Sequence, residues 1–290
     1  MAHDLLEQDS ETSKLLREAE ARLELPLRRL MLEGPEPDLQ ATEHAQPAIL
    51  FHSLALLRLL TLRGVQSQAV AGHSLGEFAG LVAAGGLEPI DALVAVRARG
   101  RAMAAAAPSG SGMLAVLGLD DASVERVCGE SEGVVPANYN APGQVVVSGP
   151  NGALEAITTK LQQAGARRVI RLPVSAAFHS PLMEAAASAF GAAWERIPLR
   201  TLTRTQVFNA DAQVHAEPAD VRSLMVGQLT GPVRWTQSIQ RLQQLGVDTF
   251  VEVGPGRTLT GLVKKTLPKA VLHNIEDMAS LSTYLQAAHA

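Results

Sequence analysis

The stretch AGHSLGEFAG, residues 71–80, places a serine between a short apolar segment, 68–71, and a run of helical composition. Gly72-His73-Ser74-Leu75-Gly76 matches G-x-S-x-G, the strand-to-helix turn that exposes a nucleophilic serine. Ser74-Leu75-Gly76-Glu77 also matches S-x-x-E, a capping box in which the serine starts a helix. The order strand, turn, helix is the context that the first interpretation requires, but the motif alone leaves both open.

Segments with strand and helix patterns alternate around this motif, which is typical of an α/β fold with a mostly parallel sheet. Residues 33–45 are polar, contain two prolines and are predicted to form a loop. Predicted helices cover 10–31 (with a separate short helix from Pro26), 47–64, the segment from the motif to 85, 89–107, 181–194, 223–229, 235–245 and the segment after 256; predicted strands cover 68–71, 206–209 and 249–253.

A second pattern lies in the middle of the chain. Its order, β-α-β-β-α-β, describes a ferredoxin-like unit. The sequence therefore predicts a ferredoxin-like insert, 111–174, between two parts, 1–110 and 175–290, of a larger α/β domain. The predicted elements of the insert are strands 113–118, 134–138, 144–148 and 168–172, helices 121–129 and 151–165, and a turn at 140–143.

Composition excludes several classes of protein. The 290 residues carry a net charge of −4, so nucleic-acid binding has no electrostatic support. Cys128 is the only cysteine, which excludes an intrachain disulfide and argues against a cysteine metal site, and it is expected to be buried. The apolar run 47–62 contains His52 and Arg58 and is predicted to be too short and polar to span a membrane. With no secretory leader pattern, a cytoplasmic protein is expected.

A serine hydroxyl is a weak nucleophile and needs a base within hydrogen-bond reach. His179, in PVSAAFHSPLM, follows a predicted strand at a loop between apolar runs and is the strongest candidate. His52 is expected to have a structural role on an apolar helix, and His73 to diverge from its neighbour Ser74. The other histidines lie in polar or terminal segments: His3, His44, His215, His273 and His289. No aspartate is a convincing third member, because Asp91, Asp120 and Asp121 lie at helix starts, where N-capping explains them.

Six blocks occur in order along nearly the whole chain, from about Leu5: GHSLGEFAGLVAAG, VRARGRAM, NYNAPGQVVVSG, VSAAFHSPLM, GQLTGPVRW and VEVGPGRTLTGL. Together they resemble the malonyl-CoA:acyl-carrier-protein transacylases of fatty-acid synthesis, which are related to polyketide synthase acyltransferase domains. The resemblance implies a hydrolase-like α/β core with a ferredoxin-like insert. It also implies a ping-pong reaction, in which malonyl passes from coenzyme A to the serine and then to the phosphopantetheine thiol of the carrier protein.

The resemblance assigns roles to particular residues. Ser74 corresponds to the nucleophile and His179 to the base, and Gln228, in GQLTGPV, corresponds to the residue whose backbone carbonyl orients the histidine. Arg99, in RARGRAM, corresponds to the arginine that grips the malonyl carboxylate, which a guanidinium can hold through two parallel hydrogen bonds. The neighbouring Arg97 and Arg101 are expected to face solvent.

The remaining expectations concern the substrate cleft. The backbone amide of Leu75 is expected to supply half of an oxyanion hole, as the residue after an elbow serine does. Phe178 is expected to crowd an α-methyl group and so favour malonyl modestly. Asn138 and Asn140 are candidates to line the cleft, although Asn140 equally suits a turn. Gly254-Pro255-Gly256 is expected to be a turn beside the site, because it lacks a phosphate-binding fingerprint.

The implied partners are malonyl-CoA and an acidic acyl carrier protein, with no metal and no permanently bound cofactor. Arg257, Lys264 and Lys265 are candidates for a basic docking face, but a solvated helix face is the favoured interpretation of each. One feature departs from the family pattern: no segment resembles the N-terminal strand and GQGSQ loop that the family normally carries. Two explanations stay open: either the reading frame was assigned from an internal methionine, or the protein is shortened, in which case it would lack a central strand and one oxyanion donor.

Two other functions stay open on the sequence. An α/β-hydrolase-type thioesterase or carboxylesterase also uses G-x-S-x-G, takes water as acceptor and does not require Arg99. A truncated, non-catalytic protein that binds a carrier protein would explain the missing N-terminal block.

Overall fold

The computed structural model describes residues 3–6, 8–174 and 176–288, and the described chain opens with four helices. The separate helix predicted from Pro26 is present, but the loop predicted over 33–45 is wrong. Pro35 and Pro37 lie at the start of a short helix, where proline is tolerated because the first amides have no helical partner. The helices are α1 (Ser10–Leu23), α2 (Leu27–Glu33), α3 (Glu36–Gln40) and α4 (Thr42–Leu62).

Helix α4 is the central helix of the core. It starts five residues before the expected Pro47, which therefore lies inside it. By length and composition alone α4 could cross a membrane, which corrects the expectation from the sequence, but 67% of its most apolar window is buried inside the protein. Its buried side chains, such as Leu50, Phe51 and Leu56, join the largest apolar cluster. Its apolar character is thus explained by core packing.

The strands outside the insert form two separate parallel pairs. β1 (Ala69–Ala71) pairs with β6 (Thr205–Val207), with Ala69 opposite Thr205, and β7 (Thr249–Val253) pairs with β8 (Val271–Ile275), with Thr249 opposite Val271. The parallel pairing matches the expected α/β class. These strands and the helices between them are β1 (Ala69–Ala71), α5 (Gly76–Ala83), α6 (Pro89–Ala105), α9 (Glu184–Trp194, after a 3₁₀ turn at Pro181–Met183), β6 (Thr205–Val207), α10 (Pro218–Gly227), α11 (Trp235–Gln244), β7 (Thr249–Val253), α12 (Thr258–Thr266), β8 (Val271–Ile275) and α13 (Met278–Ala288).

A cavity of about 430 Å³ separates these two pairs. Both β1 and β7 line it, together with Ala79, Trp235 and Val263. Within the described ranges, neither β1 nor β7 has a second strand partner. The core sheet is therefore divided at its middle, and one edge of each of these strands lacks a ladder of hydrogen bonds.

These open edges should be visible in amide hydrogen exchange. We expect the amides of β1 and β7 that point toward the cavity to exchange at least about tenfold faster than those of β4 (Gln144–Pro150), which is paired on both sides. Exchange followed by mass spectrometry of peptides covering 69–71, 249–253 and 144–150 measures this. Equal protection of all three segments would mean that the two edges are covered in solution.

The insert is an antiparallel sheet covered by two helices on an apolar layer of its own. Its strands are β2 (Ser111–Leu117), β3 (Val135–Ala141), β4 and β5 (Arg168–Arg171), and their order in the sheet, β3-β4-β2-β5, is that of a ferredoxin-like unit. Val116, Val147 and Leu154 belong to its separate apolar cluster. The limits 111 and 174 of this unit stay a prediction. Its elements are β2 (Ser111–Leu117), α7 (Asp121–Gly129), β3 (Val135–Ala141), β4, α8 (Asn151–Gln163) and β5 (Arg168–Arg171).

The insert is joined to the core beside the β1 turn. Tyr139 N donates to Val233 O at 2.9 Å, and Val233 N donates to Ala137 O at 2.8 Å. Thr236 Oγ1 also donates to Tyr139 O at 3.1 Å. Because these bonds join β3 to the segment that leads into α11, one face of the insert is fixed next to the predicted catalytic serine.

Candidate active site

Ser74 lies on a tight turn between β1 and α5 with a left-handed backbone, φ 51°. Few non-glycine residues adopt this region, and a strained serine between a strand and a helix is the geometry of a nucleophile elbow. A Cβ added to Gly72 would lie 1.9 Å from the backbone carbon of Gly76, so only glycine fits at position 72. Gly76 itself has open space at its Cβ position. The first glycine of the motif thus allows the turn to close.

Ser74 and Glu77 do not form a capping box in the structure. Among the residues that the structure describes, no side chain caps the start of α5. The amide of Ser74 donates to Asn209 Oδ1 at 2.7 Å, and the carboxylate of Glu77 points into the core. The Ser74 hydroxyl instead contacts His179 and Arg99. The serine is therefore held for contacts across the site and not for starting a helix.

His179 lies across the site from Ser74, 105 residues later in the chain. Its backbone is also left-handed, φ 56°. Ring Nδ1 lies 2.8 Å from the backbone carbonyl oxygen of Gln228, and Nε2 lies 2.9 Å from Ser74 Oγ. Because a carbonyl can only accept, Nδ1 carries the ring proton and Nε2 presents a lone pair to the serine hydroxyl. This tautomer is the one that a general base requires.

The surroundings of His179 keep its ring neutral. Burial lowers its pKa to about 3, and the positive charge of Arg99 acts in the same direction. The hydrogen bond to Gln228 opposes this shift but does not cancel it. A neutral imidazole that can take a proton from Ser74 is therefore the stable form at neutral pH.

Arg99 is a buried cation directly beside the serine. Its side chain is 1% exposed. Nη2 donates to Ser74 Oγ at 3.0 Å and to Gln228 Oε1 at 2.9 Å, and Nη1 donates to Gln46 Oε1 at 2.7 Å. These acceptors are neutral, no carboxylate lies within ion-pair distance among the described residues, and Nε has no acceptor there. A buried guanidinium with neutral partners and a spare N–H can accept an anion.

The contact between α6 and α4 explains how Arg99 comes to be buried. Pro47 has no N–H, so it leaves the carbonyl of Glu43, one turn earlier, without its helical partner. Arg97 Nη1 donates to that carbonyl at 2.7 Å. A Cβ on Gly100 would lie 2.9 Å from Glu43 Cα, so glycine allows the two helices to approach closely. The expectation that Arg97 faces solvent is therefore wrong.

Other residues predicted from the sequence differ in their placement. Arg101 is exposed, as expected. Leu75 follows the serine, and its amide has no acceptor in the described chain, so it is free to donate. Phe178 is half-buried next to His179, and its carbonyl accepts from Ser148 Oγ at 2.6 Å.

The two asparagines of the insert are placed differently from each other. Asn138 is buried on β3 and pairs with Val146 and Val233, with no hydrogen bond to Ser74, His179 or Arg99 in the described structure. Asn140 Oδ1 lies 2.8 Å from His73 Nε2. The insert therefore contacts the elbow through Asn140, in strand β3 and not in a turn.

Three residues that were not assigned to the site from the sequence complete it. Asn209 holds both ends of the elbow, because its Oδ1 accepts from Ser74 N and its Nδ2 donates to Gly72 O at 2.8 Å. Glu77 accepts from Asn209 N at 2.6 Å and from Gln228 Nε2. Gln46 binds Arg99. Glu77 could have been found as part of the motif, whereas nothing in the sequence marks Asn209 or Gln46.

Of the residues expected to have structural roles, Asp91 and Asp121 are not N-caps, because each lies inside the first turn of its helix, after Glu88 and Asp120 respectively. Asp120 caps α7 through Ser123 N at 2.9 Å. Cys128 is buried, as expected, and burial raises its pKa to about 12. His52 is buried against Glu276 O at 2.7 Å. Gly254-Pro255-Gly256 forms a bend after β7.

The candidates for a basic docking face are exposed on or next to α12, each with a partner of its own. Arg257 pairs with Glu276, Lys264 donates to Pro268 O and Lys265 donates to Gln144 Oε1. Nothing in these contacts distinguishes a docking face from a solvated helix face.

The assembled groups support acyl transfer. A hydroxyl within 2.9 Å of a neutral imidazole can be deprotonated as it attacks an activated carbonyl. A guanidinium bound to the same oxygen stabilises the negative charge that develops on it. The free amide of Leu75 can stabilise the oxyanion that forms at the carbonyl. No group of His, Cys, Asp or Glu that could hold a metal ion occurs among the described residues.

Comparisons with known proteins agree with this chemistry. The sequence pattern of the family described as "Acyl transferase domain" matches residues 1–288. The malonyl CoA-acyl carrier protein transacylase of Bacillus subtilis (strain 168) is 38% identical over 291 aligned positions, covering 99% of this chain and 92% of that protein. The Escherichia coli (strain K12) protein of the same name is 40% identical over 271, covering 91% and 88%.

Solved structures give the same result for the fold. An acyl carrier protein S-malonyltransferase from Vibrio cholerae superposes with a TM-score of 0.94 at 34% identity, covering 98% of this chain and 94% of that one. A malonyl-transacylase solved in complex with its type II PKS acyl-carrier protein has a TM-score of 0.94 at 36% identity, covering 99% and 94%. The expected hydrolase-like α/β core with a small antiparallel insert is thus confirmed. The chain belongs to the acyl transferase domain family, among the malonyl-CoA:acyl-carrier-protein transacylases.

Proposed function

We propose that this protein transfers a malonyl group from malonyl-CoA to an acyl carrier protein. The observation that carries the proposal is the shared contact of His179 Nε2 and Arg99 Nη2 with one serine oxygen. The relatives named malonyl CoA-acyl carrier protein transacylase supply the substrate class. The carrier protein bound to the structural relative supplies the partner.

In the first half of the reaction, Ser74 is acylated. Its oxygen attacks the thioester carbonyl of malonyl-CoA while its proton passes to His179 Nε2. The carbonyl oxygen becomes an oxyanion facing the Leu75 amide. The carbon–sulfur bond then breaks, the coenzyme A sulfur takes the proton from His179, and malonyl remains on Ser74.

The second half runs the same steps in reverse with another thiol. His179 takes the proton of the acceptor thiol, which is the phosphopantetheine thiol of the carrier protein in our proposal. The thiolate attacks the malonyl ester, and Ser74 leaves with the proton from His179. Because a thioester is broken and a thioester is formed, no further reactant is needed.

Arg99 is the proposed basis of selectivity for malonyl. The substrate differs from acetyl-CoA by one carboxylate, and Arg99 is a buried cation with an unpartnered Nε. A carboxylate placed against it would form charge-assisted hydrogen bonds without displacing an existing ion pair. Phe178, next to the base, remains the proposed residue that crowds an α-methyl group on the substrate, and Asn138 remains a proposed cleft residue. A cytoplasmic location remains the expectation from the sequence.

Incubation with malonyl-CoA, with and without holo acyl carrier protein, tests the proposal. We expect malonyl to appear on the carrier protein, and little malonate to be released when the carrier is absent. Rapid malonate release with no labelled carrier would instead support the thioesterase alternative. No reaction in either arm would support a non-catalytic carrier-binding protein.

The buried base should give the reaction an unusual pH profile. Protonation inactivates His179, and a lowered pKa keeps the active neutral form at lower pH. We therefore expect kcat/KM for Ser74 acylation to stay flat between about pH 7 and about pH 5. Stopped-flow acylation over this range, with circular dichroism to monitor folding, measures it. A fall with a midpoint near 6.5, the ordinary histidine value, would contradict the neutral buried base.

A further inference from the structure

Glu77 carries a buried carboxyl group that the acyl transfer described above does not use. Burial raises its pKa to about 8, and the hydrogen bonds from Asn209 and Gln228 act in the opposite direction. It lies on α5, one helical turn after Ser74, and its side chain is 1% exposed. A buried carboxylate is costly unless its oxygens are hydrogen-bonded. Here Oε1 accepts from Asn209 N at 2.6 Å and Oε2 accepts from Gln228 Nε2. Both oxygens are thus used to hold other residues of the site.

One of these contacts determines how Gln228 presents its side chain. Its Nε2 donates to Glu77 and to Ser74 O at 3.1 Å. With the nitrogen directed there, the amide oxygen points the other way and accepts from Arg99 Nη2 at 2.9 Å. If the amide turned over, its NH₂ group would face the guanidinium, and two donors would meet.

The other contact reaches the elbow. The amide that Glu77 binds belongs to Asn209, whose side chain holds Ser74 N and Gly72 O. The carboxyl group of Glu77 is therefore linked to the nucleophile through a single intervening residue, Asn209. Gln228 likewise links Glu77 to both Arg99 and the base. Its side-chain oxygen accepts from Arg99, and its backbone carbonyl binds His179 Nδ1 at 2.8 Å.

We propose that Glu77 is a positioning residue, which fixes the amide orientation of Gln228 and thereby keeps Arg99 aimed at the site for the substrate carboxylate. The inference rests on the proposed malonyl transfer and adds a determinant of its selectivity. Glu77 touches neither Ser74 Oγ nor the imidazole, so it acts only through Gln228 and Asn209.

The substitution Glu77→Gln tests the inference with almost no change of shape. A glutamine offers one oxygen and one NH₂ group to two N–H donors, so either Asn209 or Gln228 loses its acceptor. We expect kcat/KM for malonyl-CoA to fall about 10- to 100-fold as the site loses its alignment. The ratio of kcat/KM for malonyl-CoA to that for acetyl-CoA should fall about tenfold, because only malonyl presents a carboxylate to Arg99.

The ratio separates positioning from simple destabilisation. A loss of folded enzyme lowers both rates equally and leaves the ratio unchanged. Glu252→Gln is the matched control, because Glu252 accepts from Leu259 N at 2.9 Å and Thr260 N at 2.6 Å, and none of its hydrogen bonds among the described residues reaches the site. We expect it to leave the ratio at the wild-type value.

Wild-type enzyme is measured first, since its failure to transfer malonyl would defeat the proposed function and not the role of Glu77. Active wild-type enzyme with an unchanged ratio in Glu77→Gln would overturn the inference. If that variant is too unstable to purify, Glu77→Asp takes its place. Aspartate keeps both acceptor oxygens, but its side chain is one CH₂ group shorter, so the oxygens lie farther from their donors. We therefore expect a smaller fall in the ratio for this variant. An unchanged ratio would also overturn the inference.

Discussion

Replacing Ser74 by alanine should lower malonyl transfer by roughly four orders of magnitude or more. The expectation follows from the geometry, because the Ser74 hydroxyl is in contact with both the neutral imidazole of His179 and the guanidinium of Arg99. Removing the hydroxyl removes the atom on which the acyl group is carried. Direct transfer between two bound thiols would then have to replace a two-step reaction, with no group positioned for it.

The measurement is a rate of malonyl transfer to holo acyl carrier protein under conditions of saturating malonyl-CoA. Ser123→Ala is a suitable control, because Ser123 lies on α7 of the insert and its hydroxyl donates to Asp120, away from the site. Its rate should equal that of the unmodified protein. Transfer that survives Ser74→Ala within tenfold would exclude a serine-bound intermediate.

Replacing Arg99 by alanine should change which acyl group the enzyme prefers. Hydrogen bonds to a charged partner are worth about 1.5–3 kcal/mol each, so losing two of them costs malonyl roughly 10²- to 10⁴-fold in kcat/KM. Acetyl has no carboxylate and should lose only the smaller contribution of Arg99 to the serine oxygen. The preference should therefore shift toward uncharged acyl groups.

Two variants sharpen this test. Arg101→Ala removes an exposed guanidinium from the same helix and should leave the preference unchanged. Arg99→Lys keeps the charge but cannot form two parallel hydrogen bonds, so it should recover only part of the loss. If the selectivity of Arg99→Ala for malonyl over acetyl matched that of the wild type, Arg99 would not be the carboxylate-binding group.

The elbow was predictable because its chemistry is local. A glycine that must lack a side chain, a serine and a helix start lie within five residues of sequence. The same holds for the insert, whose strands and helices follow one another in the order of their pairing. Local patterns were therefore sufficient to predict most elements and the fold class.

The predictions failed where the structure of a residue depends on its position within an element or on contacts with another element. The two prolines of 33–45 suggested a loop, but they lie at a helix start, where their missing amides cost nothing. Arg97 and Arg101 are one helical turn apart, and only Arg97 finds a carbonyl freed by Pro47 on another helix. Strand β8 and helix α13 were not predicted at all, and β8 is short, with His273 and Asn274 interrupting its apolar run.

The candidate site likewise contains residues that the sequence identifies and residues that only the folded structure brings to it. Ser74, His179, Gln228 and Arg99 were assigned through sequence blocks, and the structure brings these four together. Asn209 is 135 residues from Ser74 in the chain, and its contact depends on the packing of the whole core. A hydrogen bond between residues so far apart in the chain leaves no periodic or spacing signal in a single sequence.

The most direct test of the account is to identify where malonyl resides between the two half-reactions. The protein is incubated with malonyl-CoA alone, digested and analysed by peptide mass spectrometry, and a second sample is first treated with holo acyl carrier protein. The account expects one malonyl group, on Ser74, that disappears from the protein when the carrier is added. Malonyl found on another residue, or on Ser74 in a form that the carrier cannot remove, would contradict it.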